Sequence, residues 1–213
     1  MIEAILWDND GVLVDTEEMF FAATRDALAR AGIELTREQY IEFSLTNGRS
    51  AFDQLEAQGW TSERILALRA ERDLAYAASL GAGRSPMDGV IETLELLKGR
   101  TRMAVVTTSL RKHFDIAHQG SGLRPYFELI LAREDYHQSK PHPEPYLTAL
   151  RRLDVRAEQC IVIEDSARGL QAALAAGLRC IAVPNHFTRG CSFEGALAVL
   201  QDIRALPALL QTL

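Results

Sequence analysis

Ile2-Glu3-Ala4-Ile5-Leu6-Trp7-Asp8-Asn9-Asp10-Gly11-Val12-Leu13-Val14-Asp15-Thr16 opens with an apolar run the length of a buried strand and ends that run with two carboxylates two residues apart. In an extended segment residues i and i+2 point to the same side, so Asp8 and Asp10 face one point just past the strand end. In an open parallel sheet, that is where ligands bind. Two carboxylates sharing a small volume repel each other unless a cation lies between them or one is protonated. Oxygen donors of this kind suit a hard ion such as magnesium. Gly11 allows a sharp backbone turn there. Taken alone, Asn9-Asp10-Gly11 also fits a hairpin turn, because Asp-Gly is a strong turn signal. The rest of the chain separates the two readings.

Between Thr16 and Ser85 the pattern is helical, with no convincing strand. Asp15 reads as the cap of a first helix with Glu18 as its capping-box partner. Phe20, Ala23, Ala27, Leu28 and Ala31 supply an apolar stripe, and Gly32 ends it. Thr36-Arg37-Glu38-Gln39 starts a second helix. A third follows Asn47-Gly48-Arg49-Ser50, carrying Phe52, Leu55 and Glu56 as far as Gly59, and a long one spans about 62–80. Gly81-Ala82-Gly83-Arg84-Ser85-Pro86 reads as a hinge out of this block.

From Met87 onward helix and strand alternate. Helices are expected over about 90–97, 111–119, 144–153 and from a cap at Ser166 to Gly177; strands over 103–107, 129–132, 160–163 and, last, 180–183. A terminal helix is expected over about 202–213. Continuous apolar strands alternating with helices indicate an α/β fold with a doubly wound parallel sheet. The expected organisation is a core of residues 1–15 and 86–213 with an all-helical insert of residues 16–85.

Each strand end then carries polar groups. Asp8 and Asp10 follow the first strand, Thr107-Thr108-Ser109 the second, and Glu164-Asp165-Ser166 the fourth. The stretch after the third holds Lys140-Pro141-His142-Pro143. The carboxyl ends of parallel strands lie together, so these groups converge. Singly, Thr107 to Ser109 fits a helix cap, Lys140 a solvated loop, and Glu164 to Ser166 a helix start. Jointly they supply a nucleophile, an acid/base, oxygen ligands, hydroxyl donors and a fixed cation. That set suits phosphoryl transfer, where positioning and charge neutralisation do most of the catalysis.

The chain has 213 residues, 47% of them hydrophobic, which is enough for one sizeable core plus an insert. A net charge of −6 without a basic stripe argues against a nucleic-acid partner. No apolar run reaches the length of a membrane span or a signal peptide, so no membrane partner and a cytoplasmic location are expected. Cys160, Cys180 and Cys191 show no metal-ligand pairing, and their odd number fits a reducing compartment. His113, His118, His137, His142 and His186 lack partners at metal spacing and read as loop or surface residues, with His186 bordering the site.

Four segments in order resemble the motifs of the haloacid dehalogenase superfamily, in the branch of β-phosphoglucomutase and small sugar-phosphate phosphatases. They are Asp8 to Glu17, Val105 to Ser109, Ser139 to Tyr146, and Val162 to Leu170 running on to Gly177. The resemblance covers nearly the whole chain, and residues 16–85 fall where that branch inserts a helical cap. It implies that Asp8 is the nucleophile, forming an aspartyl-phosphate, and that Asp10 protonates the leaving oxygen and then activates water. It implies Mg2+ held by Asp8, the Asp10 carbonyl and Asp165, with Glu164 assisting. It places Thr107, Thr108 and Lys140 on the phosphoryl oxygens, and Arg49 on the distal group of a small phosphorylated substrate. A monomer is the expectation for this branch.

Within the family, Asp10 argues against dehalogenases, which resemble Asp-x-Tyr-Gly at this motif, and against phosphonatases, which place Ala or Gly there. The mutase carries a histidine early in its first cap helix, where this chain has Phe20-Phe21. An aromatic hydrocarbon relays no proton, so a phosphatase is expected over the alternative of a β-phosphoglucomutase-type mutase. A non-catalytic phosphate-binding protein is the alternative from another class. Asn9 departs from the apolar residue more usual there and is expected to face away from Asp8 with little effect on chemistry.

Overall fold

The computed structural model describes residues 2–81 and 83–213. Six parallel strands form one sheet in the order β3-β2-β1-β4-β5-β6: β1 Ala4–Trp7, β2 Arg102–Val106, β3 Leu129–Leu131, β4 Cys160–Glu164, β5 Arg179–Ala182 and β6 Ala198–Val199. Strand β1 lies in the middle, with Trp7 in register with Val105 on one side and Ile163 on the other. The strands run apolar without interruption because both faces are covered. Ile5, Trp7, Met103, Val105, Ile161, Ile163 and Ile181 pack on one face, while Ala4, Leu6, Ala104, Val106, Cys160, Val162 and Cys180 pack on the other. This is the period of two expected of a pleated sheet.

The helices that cover the sheet are α5 Val90–Leu97, α6 Arg111–Ala117, α7 Glu144–Leu153, α8 Ala167–Ala175 and α9 Leu206–Leu210. Helices α7 and α8 lie on the Leu6 face through Tyr146, Ala149, Leu170 and Ala173. Helices α5, α6 and α9 lie on the Trp7 face through Leu94, Phe114 and Leu206. Doubly wound connections of this kind bring all strand ends, and the groups that follow them, to one edge.

Between β1 and α5 the described residues form the helices α1 Glu17–Arg30, α2 Arg37–Tyr40, α3 Asp53–Ala57 and α4 Ser62–Leu80. The Thr36 hydroxyl accepts from the Gln39 amide, and the Gln39 side chain accepts from the Thr36 amide, the reciprocal cap expected from the sequence. After α2 the chain widens into a π-helical turn, Ile41–Thr46, that delivers Gly48 and Arg49. Phe21, Leu28, Tyr40, Phe52, Leu55 and Ile65 form a core of their own, to which Phe187, from beyond β5, is added. Tyr76 and Leu80, at the end of α4, join the sheet core instead. Among the described residues no helix is long and apolar enough to cross a membrane.

Some expectations are corrected. Helix α1 is capped at Thr16, not Asp15, and no side chain closes the cap; the Thr16 hydroxyl has been drawn into the site. The last strand is not β5 but the two-residue β6. The terminal helix shrinks to α9, preceded by a 3-10 turn at Ile203–Ala205. Asn9 to Gly11 do form a turn, with Gly11 at φ +83°, but no hairpin follows, since all partners of β1 are parallel. His113 and His118 are buried rather than on the surface. The hinge expected over 81–86 includes Ala82, which lies outside the described residues.

Candidate active site

Asp8 follows β1 directly. Its amide still donates to the Ile163 carbonyl, so the last rung of the sheet fixes where the carboxylate starts. Lys140 reaches the same point from the loop after β3. Its ammonium donates to Asp8 Oδ1 at 2.7 Å, to Glu164 Oε1 at 2.7 Å and to the Val106 carbonyl at 2.8 Å. All three of its donors are thereby used in a side chain that is 2% exposed. Burial opposes the lysine's charge, but the carboxylates of Asp8 and Glu164 outweigh it and raise its pKa above the ordinary value.

Glu164 ends β4 and is fully buried. Burial opposes its ionisation, yet Lys140 and the hydroxyls of Tyr146 and Ser166 hold its pKa below the usual glutamate value. Tyr146 donates to Oε1 at 2.8 Å, and Ser166 Oγ to Oε2 at 3.0 Å. Asp8 is pushed up to about 7, chiefly by burial and next by Glu164, with Lys140 pulling the other way. Asp165 is raised well above the carboxylate range by burial, then by Asp8 and Glu164. Oxygens of Asp8, Glu164 and Asp165 all lie within 4.8 Å of one another. One lysine does not neutralise three buried carboxylates. Hard oxygen donors at this spacing, short of positive charge, fit a divalent cation such as magnesium.

Asp10 stands apart from that cluster. Its Oδ1 accepts from the Thr16 hydroxyl at 2.5 Å, and its Oδ2 accepts from Thr107 Oγ1 at 3.0 Å and Ser109 Oγ at 2.8 Å. These hydroxyls come from the entry to α1 and from the turn after β2, so three hydroxyls from two segments fix one carboxylate. Thr107, expected on a phosphoryl oxygen, thus spends its proton on Asp10 and accepts from the Ser109 amide. Thr108 Oγ1 takes a bond of 3.3 Å from Arg168. Arg49 is 66% exposed at its side chain, with Nε 4.0 Å from Asp53.

Asn185, in the loop after β5, donates from Nδ2 to Asp165 Oδ2 at 2.7 Å and to the Gly11 carbonyl at 3.2 Å. A Cβ on Gly11 would stand 2.3 Å from that amide nitrogen and 2.5 Å from Asp165 Oδ2, so glycine is required there on space as well as on φ. Asn185 was not singled out from the sequence, and Ser109 and Tyr146 stood in noted segments without a role of their own. The strand-end rule would have found Asn185 had it been applied to β5 as to the other strands. Tyr146 lies in the first turn of α7, where nothing local in the sequence marks it as a partner of Glu164.

A cavity of about 500 Å³ opens above Asp10 and Lys140, between the sheet edge and helices α1, α2 and α4. Its cations are Arg49, Arg69, Arg72, Arg133, Lys140 and Arg168, set against the acids Asp10, Glu17 and Asp73. In a protein of net charge −6, such a lining selects an anion. Another cavity, about 470 Å³, lies around Ile2, Thr101 and Tyr126 at the opposite edge of the sheet; its Arg102 is already tied to Glu128 at 2.7 Å.

Comparison with known proteins agrees with this geometry. The haloacid dehalogenase-like hydrolase family model matches residues 5–183. The chain belongs to that family. It is 34% identical to the protein CbbY of Cereibacter sphaeroides, covering 98% of this chain and 96% of that one. It is 29% identical to a phosphoglycolate phosphatase of Pectobacterium atrosepticum, covering 91% and 85%. The crystal structure of CbbY from Rhodobacter sphaeroides in complex with phosphate superposes with a TM-score of 0.81 at 31% identity, covering 97% and 96%. Family and relatives put the chain in the sugar-phosphate phosphatase branch, and it is an enzyme of that phosphatase type.

Proposed function

We propose that the protein is a magnesium-dependent phosphatase that hydrolyses a small phosphorylated metabolite — a sugar, polyol or glycolate-like phosphate — through an aspartyl-phosphate on Asp8. The observation that carries this reading is the buried set of Asp8, Lys140, Glu164 and Asp165 beside a separately clamped Asp10, under a cavity lined by cations. A structure of mutant CbbY in complex with xylulose-(1,5)bisphosphate, 30% identical to this chain, supports the same class of substrate.

Asp8 is the nucleophile in this reading. A carboxylate attacking a phosphate dianion meets like charge, and Lys140 supplies one positive charge at 2.7 Å from the attacking group. Asp8, Asp165, Glu164 and the Asp10 carbonyl would hold magnesium, which when bound polarises the phosphoryl group and neutralises the remaining charge. Asp10 is aimed by its hydroxyl clamp to give a proton to the leaving oxygen and then take one from the attacking water. Thr108, Lys140 and the turn after β2 receive the phosphoryl oxygens; Arg49 meets the distal end of the substrate.

Residues 16–85 serve as a cap that closes on residues 1–15 and 86–213. A Cβ on Gly48 would lie 2.3 Å from Pro141 Cδ and 3.1 Å from the Lys140 carbonyl, so the tip of the cap rests on the lysine loop. Closure excludes bulk water during phosphoryl transfer. Phe20, at the position of the mutase histidine, packs edge-on against Tyr76 at 5.0 Å under Arg72 at 4.3 Å. This hydrocarbon wall favours water over a sugar hydroxyl as the acceptor.

Phosphate release from sugar monophosphates, a sugar bisphosphate, polyol phosphates and phosphoglycolate, with and without magnesium, tests the proposal. Release that needs magnesium and stops on chelation is expected. Release that survives chelation, or none from any substrate, contradicts it.

A further inference from the structure

Asn9 stands between the two aspartates and is fully buried, pointing to the side opposite Asp8 and Asp10. There its Oδ1 lies 2.6 Å from Nε2 of His118, just past the end of α6. His118 is held on every side. Its ring stacks on Phe114, with centroids 4.1 Å apart and planes 27° from parallel. Its Nδ1 lies 3.3 Å from Ser121 Oγ, and that oxygen accepts from the Leu123 amide at 3.2 Å. The directions form one consistent chain. The Leu123 amide gives to Ser121, the Ser121 hydroxyl gives to Nδ1, and the Nε2 proton goes to Asn9. This needs a neutral imidazole protonated on Nε2, and burial does lower the pKa of His118, to about 4.

The other half of Asn9 builds the turn. Its carbonyl accepts from the amides of Val12, Leu13 and Val14 at 3.3, 2.8 and 3.2 Å. That turn sets where Asp10 leaves the strand. We propose that His118 is a positioning residue: by fixing the Asn9 side chain from behind, it holds the Asp8–Asp10 turn in catalytic register. The proposal rests on the roles given above to Asp8 and Asp10.

Four variants and the wild type test it, each by kcat and KM for phosphate release at 25 °C and by melting temperature. His118→Leu removes the donor and leaves Asn9 buried without a partner. Its kcat is expected to fall about 10- to 100-fold with KM unchanged, as for loss of an outer orienting partner. His118→Gln places an amide donor at the position of Nε2 and is expected to restore most of kcat. Asn9→Leu is measured alone and with His118→Leu; the double variant removes both polar groups, and its loss is expected to fall short of the two single losses combined. A His118→Leu protein that melts lower but keeps wild-type kcat, or a Gln variant as slow as the Leu variant, overturns the proposal. Wild type without phosphate release removes the roles of Asp8 and Asp10, and this inference with them. Normal wild-type release beside unaffected variants removes this inference alone.

Discussion

Lys140 carries the charge balance of the site at the scale of single residues. Its ammonium is shared between Asp8 and Glu164, both at 2.7 Å, and it is buried with them. Lys140→Ala leaves those carboxylates without their cation, and denaturant unfolding is expected to show a loss of about 3–5 kcal/mol. A loss under 1 kcal/mol would show that the pair relaxes into solvent. Glu17, 6% exposed and bonded by the Tyr40 hydroxyl, is pushed by burial from 4.5 up to about 7. Its folded pKa lies above the unfolded one, so the folded protein keeps a proton that the unfolded chain has released. The contribution is complete below pH 4.5 and is lost as pH rises through 7. Across that window wild type should lose about 3 kcal/mol relative to Glu17→Gln. His118, lowered to about 4, acts in the opposite sense, but it is common to both proteins and cancels in the difference. A flat difference contradicts the assignment. Asp8, Lys140, Glu164 and Asp165 were legible because they follow strands, where convergence is a rule of the fold. The partners of Asp10 were only half legible: Thr107 and Ser109 stood in a noted segment, but Thr16 looked like an ordinary helix entry. A local pattern does not show a tertiary partner.

Among elements, the loop after β5 does the most connecting. Asn185 holds Asp165, and two residues on Phe187 is 2% exposed in the core of α1 to α3, with Arg37 stacked 4.4 Å from its ring centre. One short segment therefore joins the acidic cluster to the helical insert. Phe187→Ala is expected to cost about 3–5 kcal/mol in denaturant unfolding. It should also raise KM, because the insert then loses its anchor near the site. Wild-type stability and KM would show that Phe187 is not an anchor. Helix α4 was readable to its last residue because Thr61 caps it and Gly81 ends it. The long apolar strands were readable because burial on both faces leaves no polar interruption. Strand β6 was not, since Ala198–Val199 is too short to show a period. Nor was the extent of α9, where Pro207 sits at the first turn of a five-residue helix.

At the scale of the whole molecule, a parallel sheet collects charge at one edge, beneath a cavity lined in part by the helices between β1 and α5. Three buried carboxylates near one lysine make the fold short of positive charge at that edge. Magnesium should therefore raise the melting temperature, and more at pH 8 than at pH 5, where protons compete for Asp8 and Asp165. Equal shifts at both pH values would place the ion elsewhere. An acid-quenched single turnover with a substrate carrying radiolabelled phosphate tests whether Asp8 takes the phosphoryl group. Label bound to the wild-type protein, absent from Asp8→Asn, is the predicted result. Phosphate release by wild type with no protein-bound label, or label retained by Asp8→Asn, would contradict the assignment of Asp8 as the nucleophile.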